Sequence, residues 1–325
     1  MSIDHIPAVL TVTMNPALDL ATAAERVVPG PKLRCDVARV DPGGGGINVS
    51  RLVQRLGADT TAFVALGGGN GQRLLKALEH EGISVRVIPV AGETRASLGV
   101  TDRSTGEQYR FVLPGPDLSE KECEGAISAL LEEAAPGDFV VLSGSLPATA
   151  VPGFPRDLAY ALREGGTKLV IDTSGAALAD LLARPDPDHR PEVLRFDHLE
   201  AQEAAGRALP TRDDTARFAA DIVASGAARF VVVGREAEGN LLASGDGVWF
   251  ARAAKVEKVV STTGAGDSFL GALTYALAIG TSAPEALQWG TAAASAAVMT
   301  PATDLCDAET VERLRPDCTI EDVAI

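Results

Sequence analysis

The sequence predicts an α/β protein with a doubly wound, mostly parallel sheet flanked by helices and a small additional β-sheet. Short, almost wholly apolar runs recur along the chain, which is typical of parallel strands buried on both faces. Amphipathic stretches that end in glycine alternate with these runs, as helices do in a strand–helix repeat. Two segments break the alternation and supply the small sheet. We expect one domain over residues 1–325, which carries this sheet as an appendage.

The strands and helices of the main layer follow from these patterns. Buried strands are predicted at 8–14 (AVLTVTM), 61–67 (TAFVALG), 138–144 (DFVVLSG), 168–175 (KLVIDTSG) and 229–234 (RFVVVG). Helices are predicted at 47–57 (INVSRLVQRLG), 71–82 (GQRLLKALEHEG) and 156–166 (RDLAYALREGG). A proline-rich surface loop at 183–196 is expected to lead into one further strand.

The two exceptional segments are residues 20–42 and 92–114. Both carry alternating patterns and turn signals in place of helical periodicity. Both also flank glycine-rich or polar loops. We therefore expect them to form strands of a small separate sheet that covers a site, as a lid does.

Composition excludes several classes of partner. The formal net charge is −15, and no block of lysine or arginine offsets it, so nucleic acid and anionic membranes would be repelled. No apolar run reaches the ~18 residues of a membrane-spanning helix, and the N-terminus lacks a basic targeting region. Four scattered cysteines indicate neither a disulfide framework nor a zinc site. We expect a cytoplasmic protein with small-molecule ligands.

Two loops at the carboxyl ends of predicted strands are candidates for binding. Gly43 to Gly46 are consecutive glycines that lead into a helix starting near Ile47. Such a run suits a chain that approaches a ligand closely or adopts positive φ, and the helix N-terminus behind it offers free N–H groups; a tight flexible turn is the alternative. The loop Ser143–Ser145 is either a second binding loop or a plain turn. Neither a P-loop nor a dinucleotide motif is matched.

The stretch STTGAGDSFLGAL, residues 261–273, is the third candidate. Its amides at Gly264, Ala265 and Gly266 would converge on one point, which stabilises negative charge developing during group transfer. Asp267 would then accept a proton from an attacking hydroxyl, or it would merely cap the following helix. An anion site, a polyol site and one base together indicate phosphoryl transfer to an alcohol.

These motifs resemble those of the ribokinase-like (PfkB) carbohydrate kinases. PGGGGINVSRLVQRLG resembles the family's first signature, and STTGAGDSFLGAL resembles its second. The similarity extends through TVTMNPALD, PKLRC, TGEQYRFVLPG, SGSLP and IDTSGAAL, and so covers nearly the whole chain. Relatives that act on fructose 1-phosphate or tagatose 6-phosphate usually have lysine in place of Gly45. The glycine run therefore favours the branch of the family that phosphorylates fructose 6-phosphate.

The resemblance implies a role for each matching position. Asp267 would deprotonate the C1 hydroxyl of the sugar, with Gly264, Ala265 and Gly266 as the anion hole. The sugar hydroxyls would be held by Asp19, Gly44, Gly45 and Asn48, the sugar phosphate by Lys32 and Arg95, and Ser145 would touch the substrate. ATP would lie against Asp197, Glu200, Gly234, Gly239 and Thr262, and Mg²⁺ against Glu200 and Asp197. K⁺ is a further candidate cofactor. A homodimer that pairs through the lids is also implied, with Lys32 as a candidate to reach across.

Two loops depart from the family pattern. Relatives read Lys-Pro-Asn followed by N-x-x-E where this chain has RFDHLE at 195–200, and Ser-x-Gly-x-x-Gly where it has GREAEG at 234–239. Glu236 thus replaces a glycine close to the donor phosphates. Three hypotheses follow. The protein is a fructose 6-phosphate kinase, or it is a kinase that acts on tagatose 6-phosphate or fructose 1-phosphate or uses another phosphoryl donor. The third hypothesis is a regulatory protein that binds sugar phosphate and has weakened catalysis.

Overall fold

The fold is built on a ten-stranded sheet, and a computed structural model describes residues 6–147, 153–301 and 304–325. The strands are β1 (Val9–Thr13), β2 (Ala17–Ala24), β3 (Arg39–Gly43), β4 (Thr60–Leu66), β5 (Val85–Pro89), β6 (Arg95–Asp102), β7 (Gln108–Val112), β8 (Phe139–Ser143), β9 (Lys168–Asp172), β10 (Val193–Phe196), β11 (Phe230–Gly234), β12 (Gly239–Ser244), β13 (Gly247–Arg252) and β14 (Ile320–Asp322). The helices are α1 (Gly45–Arg55), α2 (Gly68–His80), α3 (Glu120–Glu133), α4 (Phe154–Glu164), α5 (Gly175–Ala183), α6 (His198–Ala205), α7 (Arg212–Ala224), α8 (Ala265–Ala278), α9 (Ala283–Ala297) and α10 (Ala308–Leu314).

The order of strands in the large sheet is β14-β13-β12-β11-β10-β9-β8-β1-β4-β5. The seven strands from β11 to β5 pair in parallel, while β12, β13 and β14 add an antiparallel edge. The predicted doubly wound, mostly parallel sheet is therefore confirmed. The five predicted strands are β1, β4, β8, β9 and β11, and the strand expected after the proline-rich loop is β10.

Helices cover both faces of this sheet, which explains why its central strands are apolar throughout. Helices α3 to α7 pack on one face, and α1, α8, α9 and α10 pack on the other. The strands β1 and β8 are buried along their full length. Helix α1 begins at Gly45, two residues before the predicted start, because Gly45 and Gly46 are already helical.

The small sheet, with strand order β3-β2-β6-β7, has two chemically different faces. Register places Val40, Leu20, Leu98 and Phe111 side by side on one face. The residues that alternate with them in β2 and β6, including Asp19, Arg95 and Ser97, belong to the other face. The predicted segments 20–42 and 92–114 contribute strands to this sheet, while β2 begins at Ala17.

Two further features bear on the sequence expectations. None of the described helices is long and apolar enough to cross a bilayer. All four cysteines are free: Cys35 is exposed, and Cys123, Cys306 and Cys318 are buried.

Candidate active site

The start of helix α8 forms the centre of the site. Gly264 adopts the left-handed conformation (φ 78°) immediately before the helix, and Ala265, Gly266 and Asp267 make its first turn. The N–H groups of a first turn have no partner within the helix, so they face the space in front of it. No side chain caps α8. The carboxylate of Asp267 is therefore not used as a cap, which removes the alternative that the sequence left open.

Asp267 is instead held by a residue of α1. The Asn48 side-chain amide donates from Nδ2 to Asp267 Oδ2 at 2.8 Å. Burial raises the pKa of Asp267 to about 6, and the nearby Asp172 adds to this, while the Asn48 hydrogen bond and Arg195 act against it. A carboxylate with a pKa near neutrality is suited to accept a proton at physiological pH.

The four-glycine run brings strand ends and α1 together. A Cβ at Gly43 would collide with the Asp19 carboxylate, one at Gly45 with Ser143 Oγ, and one at Gly46 with Thr13 Oγ1. Only Gly44 of the four has positive φ, at 144°. The glycines are thus required chiefly because the protein packs against itself here, not because all of them need unusual φ. Their close packing places Asp19 and the loop at Ser143 beside the N-terminus of α1.

The site-facing side of the small sheet contributes one carboxylate and two guanidinium groups. Burial raises the pKa of Asp19, whereas Arg110, Arg95 and the Ser97 hydroxyl lower it. Arg95 donates to the backbone carbonyl of Asn15 at 3.2 Å. Arg110 reaches Thr263 Oγ1, in the turn before α8, at 3.4 Å. The small sheet therefore closes over the start of α8.

Ser145 and Lys32 are also predicted to bind the substrate, but in the described part of the chain only Ser145 contacts other residues of the site. Ser145 accepts a hydrogen bond from Asn15 Nδ2 at 3.2 Å, so it stays next to the Arg95 contact. Lys32 is exposed in the segment that joins β2 to β3, and makes no hydrogen bond or ion pair with any described residue. The structure of one chain therefore leaves Lys32 outside the contacts that assemble the site.

A buried ion pair lies beneath the α8 turn. Arg195 at the end of β10 donates to Asp172 Oδ2 at 2.8 Å, and both side chains are 12% exposed. Its guanidinium lies under Gly266, where a Cβ would be 2.8 Å from Arg195 Nη2. Glycine at 266 is thus required by this approach. The positive charge lies just behind the amides that the first turn presents.

Asp197 and Glu200, predicted to bind Mg²⁺ and nucleotide, form a capping box at the start of α6. Glu200 N–H donates to Asp197 Oδ1 at 2.8 Å, and Asp197 N–H donates to Glu200 Oε2 at 2.8 Å. Burial, with Asp172 and Asp197 nearby, raises the pKa of Glu200 to about 7. No group of three or more potential metal ligands occurs among the described residues. Mg²⁺ needs only one or two carboxylates when phosphates supply the rest, and this crowded pair fits it.

A cleft of ≈ 610 Å³ lies at the start of α8, where Gly266 and Thr262 line it. Its charged lining includes Arg195 and Asp197, and Gly234 lines it as well. Its apolar lining consists of Ala253, Ala254, Val256, Val259, Phe269, Ala294 and Val298. Such a mixed lining suits a ligand that has both an apolar ring and anionic groups.

The loop from Gly234 to Gly239 is fixed by a buried arginine. Arg235 donates to the carbonyls of Leu209, Pro210 and Thr211 and to Thr215 Oγ1. It also pairs with Glu238 at 3.0 Å. Gly239 has φ 135° and packs so closely on the Ala251 carbonyl that no Cβ would fit there. Within this rigid loop, Glu236 lines the cleft with φ 50°, and it is the only non-glycine residue of the described chain with positive φ.

No role was predicted from the sequence for Arg110, Arg195, Asp172 or Arg235. Arg195 and Asp172 had a detectable signal, since each is a charged residue at or near the end of an otherwise apolar strand. Arg110 and Arg235 had none, because the contact of Arg110 and most contacts of Arg235 are with residues distant in sequence that meet only in the assembled fold.

A family model for pfkB family carbohydrate kinases matches residues 12–310. The chain belongs to the pfkB family of carbohydrate kinases. It is 38% identical over 308 residues to ATP-dependent 6-phosphofructokinase isozyme 2 of Mycobacterium tuberculosis, covering 94% of this chain and 88% of that one. The identity with the isozyme 2 of Escherichia coli is 36% over 306 residues, 94% of this chain and 97% of the relative. The chain is therefore an ATP-dependent sugar-phosphate kinase, and the predicted family is confirmed.

Solved structures support the same fold. The E. coli phosphofructokinase-2 structure in complex with fructose 6-phosphate has a TM-score of 0.87 and 34% identity, covering 95% of this chain and 98% of that chain. Other structures of that enzyme are a complex with potassium and a tetrameric inhibited form. The predicted ribokinase-like fold is confirmed.

Proposed function

We propose that this kinase transfers the γ-phosphoryl group of ATP to the C1 hydroxyl of fructose 6-phosphate, giving fructose 1,6-bisphosphate. The observation that carries the proposal is the Asp267 carboxylate, which caps no helix and lies in the first turn of α8 together with the amides of Ala265 and Gly266. Base and anion hole thus stand together in front of one helix. Two of the relatives are named ATP-dependent 6-phosphofructokinase isozyme 2, and the glycine run at 43–46 of this chain was predicted to favour the same substrate.

The steps follow from the side chains. Asp19 and Asn48, with the backbone at Gly44 and Gly45, hold the sugar hydroxyls, and Arg95 holds its phosphate. Asp267 takes the proton from the C1 hydroxyl as that oxygen attacks the γ-phosphorus and the bond to the leaving ADP breaks. The amides of Gly264, Ala265 and Gly266 stabilise the charge on the transferred group, with the Arg195 guanidinium behind them.

The donor would occupy the ≈ 610 Å³ cleft, with its base against the apolar lining residues and its phosphates towards Thr262, Gly234 and Gly266. Gly239 is proposed to act there indirectly, by letting the donor loop pack on β13. Mg²⁺ would be held by Glu200 and Asp197, where it would neutralise phosphate charge. K⁺ is proposed as a further cofactor because the E. coli enzyme has been solved in complex with potassium.

Glu236→Gly is expected to strengthen donor binding. Glycine adopts positive φ without the ~1–2 kcal/mol penalty of other residues, so the free energy of unfolding of the variant should be higher than that of the wild type. Removal of a carboxylate that lines the donor cleft should also lower KM for ATP, with KM for the sugar phosphate unchanged. Denaturant unfolding and initial-rate kinetics measure both effects.

Ala237→Gly is the matched control, because Ala237 does not have positive φ. It should be destabilised by up to about 1 kcal/mol, since glycine only adds chain entropy there. An unchanged KM for ATP in Glu236→Gly would show that Glu236 has no part in donor affinity.

A panel of acceptors and donors tests the proposed function. Purified protein with Mg²⁺ is given fructose 6-phosphate, fructose 1-phosphate or tagatose 6-phosphate, each with ATP and with other nucleoside triphosphates. We expect the highest kcat/KM for fructose 6-phosphate with ATP, and fructose 1,6-bisphosphate as the product by ³¹P NMR. A clear preference for fructose 1-phosphate would favour the other branch; E. coli 1-phosphofructokinase is 32% identical over 291 residues, 89% of this chain and 90% of that one.

The second candidate is a sugar-phosphate-binding regulatory protein with weakened catalysis. It is favoured by Glu236 and Asp197, which add negative charge to the donor cleft. Calorimetry separates the two: tight binding of fructose 6-phosphate without detectable binding of Mg·ATP would support the regulatory protein, and binding of both would support the kinase.

We also propose that the small sheet is a lid and that two chains pair through it. Its outer face carries Val40, Leu98, Tyr109 and Phe111, and Phe111 is 54% exposed. A contiguous exposed apolar face of this kind often marks a site of contact with another protein chain. A second copy would cover this face and bring Lys32 near the interface, where it is proposed to meet the sugar phosphate. Sedimentation should give a dimer at micromolar concentration; a monomer with full activity would contradict the pairing.

A further inference from the structure

Arg51 is a buried arginine of α1 that no step above uses. The residue is only 5% exposed. Its Nε and Nη2 donate to the two carboxylate oxygens of Glu81, at the end of α2, both at 2.6 Å. The remaining nitrogen, Nη1, donates to the Pro42 carbonyl at 3.0 Å and to Asn48 Oδ1 at 3.1 Å. Arg51 is therefore fixed at one end and points at the active site with the other.

The Asn48 contact has a consequence for Asp267. A guanidinium has donors only, so the atom of Asn48 that faces Arg51 must be its oxygen. The Asn48 amide is thereby prevented from rotating by 180°. Its NH₂ group must then face Asp267, where Nδ2 lies 2.8 Å from Oδ2. An amide in the opposite orientation would present its oxygen to the carboxylate and repel the ionised form.

We propose that Arg51 is a positioning residue that locks the Asn48 amide so that Asp267 Oδ2 is occupied and Oδ1 is left to accept the substrate proton. Among the described residues, Oδ2 accepts from Asn48 and no hydrogen bond to Oδ1 is made. The inference rests on the proposed role of Asp267 as base. Beyond that role, it identifies Oδ1 of Asp267 as the oxygen that takes the proton, and Arg51 as the residue outside the site that determines this.

The other charged groups around Asp267 do not depend on Arg51. From β10, Arg195 favours the ionised carboxylate, and from β9, Asp172 disfavours it. These two pair with each other at 2.8 Å. Loss of the lock should therefore change the titration of Asp267 through Asn48 alone. A rotated Asn48 amide removes a hydrogen bond to the ionised Asp267 carboxylate, so the pKa of Asp267 should rise. The carboxylate is then protonated, and unable to act as a base, at higher pH than in the wild type.

The test is the pH dependence of kcat/KM for fructose 6-phosphate in Arg51→Gln. We expect the acid limb to move upward by about one pH unit, as loss of one hydrogen bond to a charged group would give. The loss in kcat/KM should be about twofold near pH 7 and about tenfold at about pH 5, with recovery at alkaline pH. Arg55→Gln is the matched control. Arg55 lies one turn further along α1, where it binds the carbonyls of Leu305 and Cys306, and its acid limb should equal that of the wild type.

A double-mutant cycle separates positioning from general stabilisation. If Arg51 acts through Asn48, Arg51→Gln should add no further loss to Asn48→Ala. Additive losses with an unmoved acid limb would overturn the inference while leaving Asp267 as base. Full activity of Asp267→Asn would instead overturn the proposed function and the inference with it. If Arg51→Gln fails to fold, Arg51→Lys keeps the charge opposite Glu81 without a second arm for Asn48, and the same shift is expected.

Discussion

Replacement of Asp267 by asparagine is expected to lower kcat by about 10²- to 10⁴-fold, the usual contribution of a general base. Asparagine has the same shape but cannot accept the C1 proton. The wild-type Asp267 does not cap α8, so the substitution removes no capping hydrogen bond from the helix. The KM for the sugar phosphate should change little, because other groups hold the substrate. Steady-state kinetics at saturating Mg·ATP measure both quantities.

Asp307→Asn is the matched control for this change. Asp307 caps α10 by accepting from the Thr310 N–H at 2.7 Å. Asparagine caps helices equally well, so stability and activity should both be retained. Normal turnover in Asp267→Asn would contradict the role of Asp267 as base.

Arg195→Met is expected to affect both stability and catalysis. Removal of one partner from a buried ion pair leaves an uncompensated charge, here Asp172, and costs about 3 kcal/mol of unfolding free energy. The same change removes the cation behind the anion hole, so kcat should fall by about 10²-fold. Chemical denaturation and turnover with fructose 6-phosphate measure the two effects.

Arg229→Met is the matched control for Arg195→Met, because the two ion pairs have the same N···O distance. Arg229 donates to Glu192 at 2.8 Å, as Arg195 does to Asp172, but its side chain is 54% exposed. Glu192 is 15% exposed, so only the arginine of this pair is open to water. Because water screens a pair with an exposed cation, we expect Arg229→Met to cost about 1 kcal/mol or less, and Arg229 is not part of the site. Equal destabilisation of the two variants would contradict the importance of burial at Arg195.

The main sheet was predictable because burial on both faces leaves an unmistakable pattern. A strand such as FVVLS in β8 tolerates no polar side chain except at its end. The α8 turn was predictable for a related reason, since Gly264 needs positive φ and Gly266 must leave room for a guanidinium. Local sequence records such backbone and steric requirements.

Partners distant in sequence were not predictable. Asp197 and Asp267 both stand at helix starts, and the sequence could not tell which one caps; the structure shows that Asp197 does. The pairs Arg195–Asp172 and Arg51–Glu81 depend on strands and helices that meet only in the folded chain. The reason for the four-glycine run was similarly hidden, because its neighbours are strand ends of the protein itself.

The pH profile of wild-type kcat/KM for fructose 6-phosphate tests the central claim most directly. Burial raises the pKa of Asp267 to about 6, and only the ionised carboxylate can accept the proton. At saturating Mg·ATP, kcat/KM should therefore be level above that pH and fall about tenfold per pH unit below about pH 6. A profile that stays level down to about pH 5 in folded protein would contradict Asp267 as the base of this kinase.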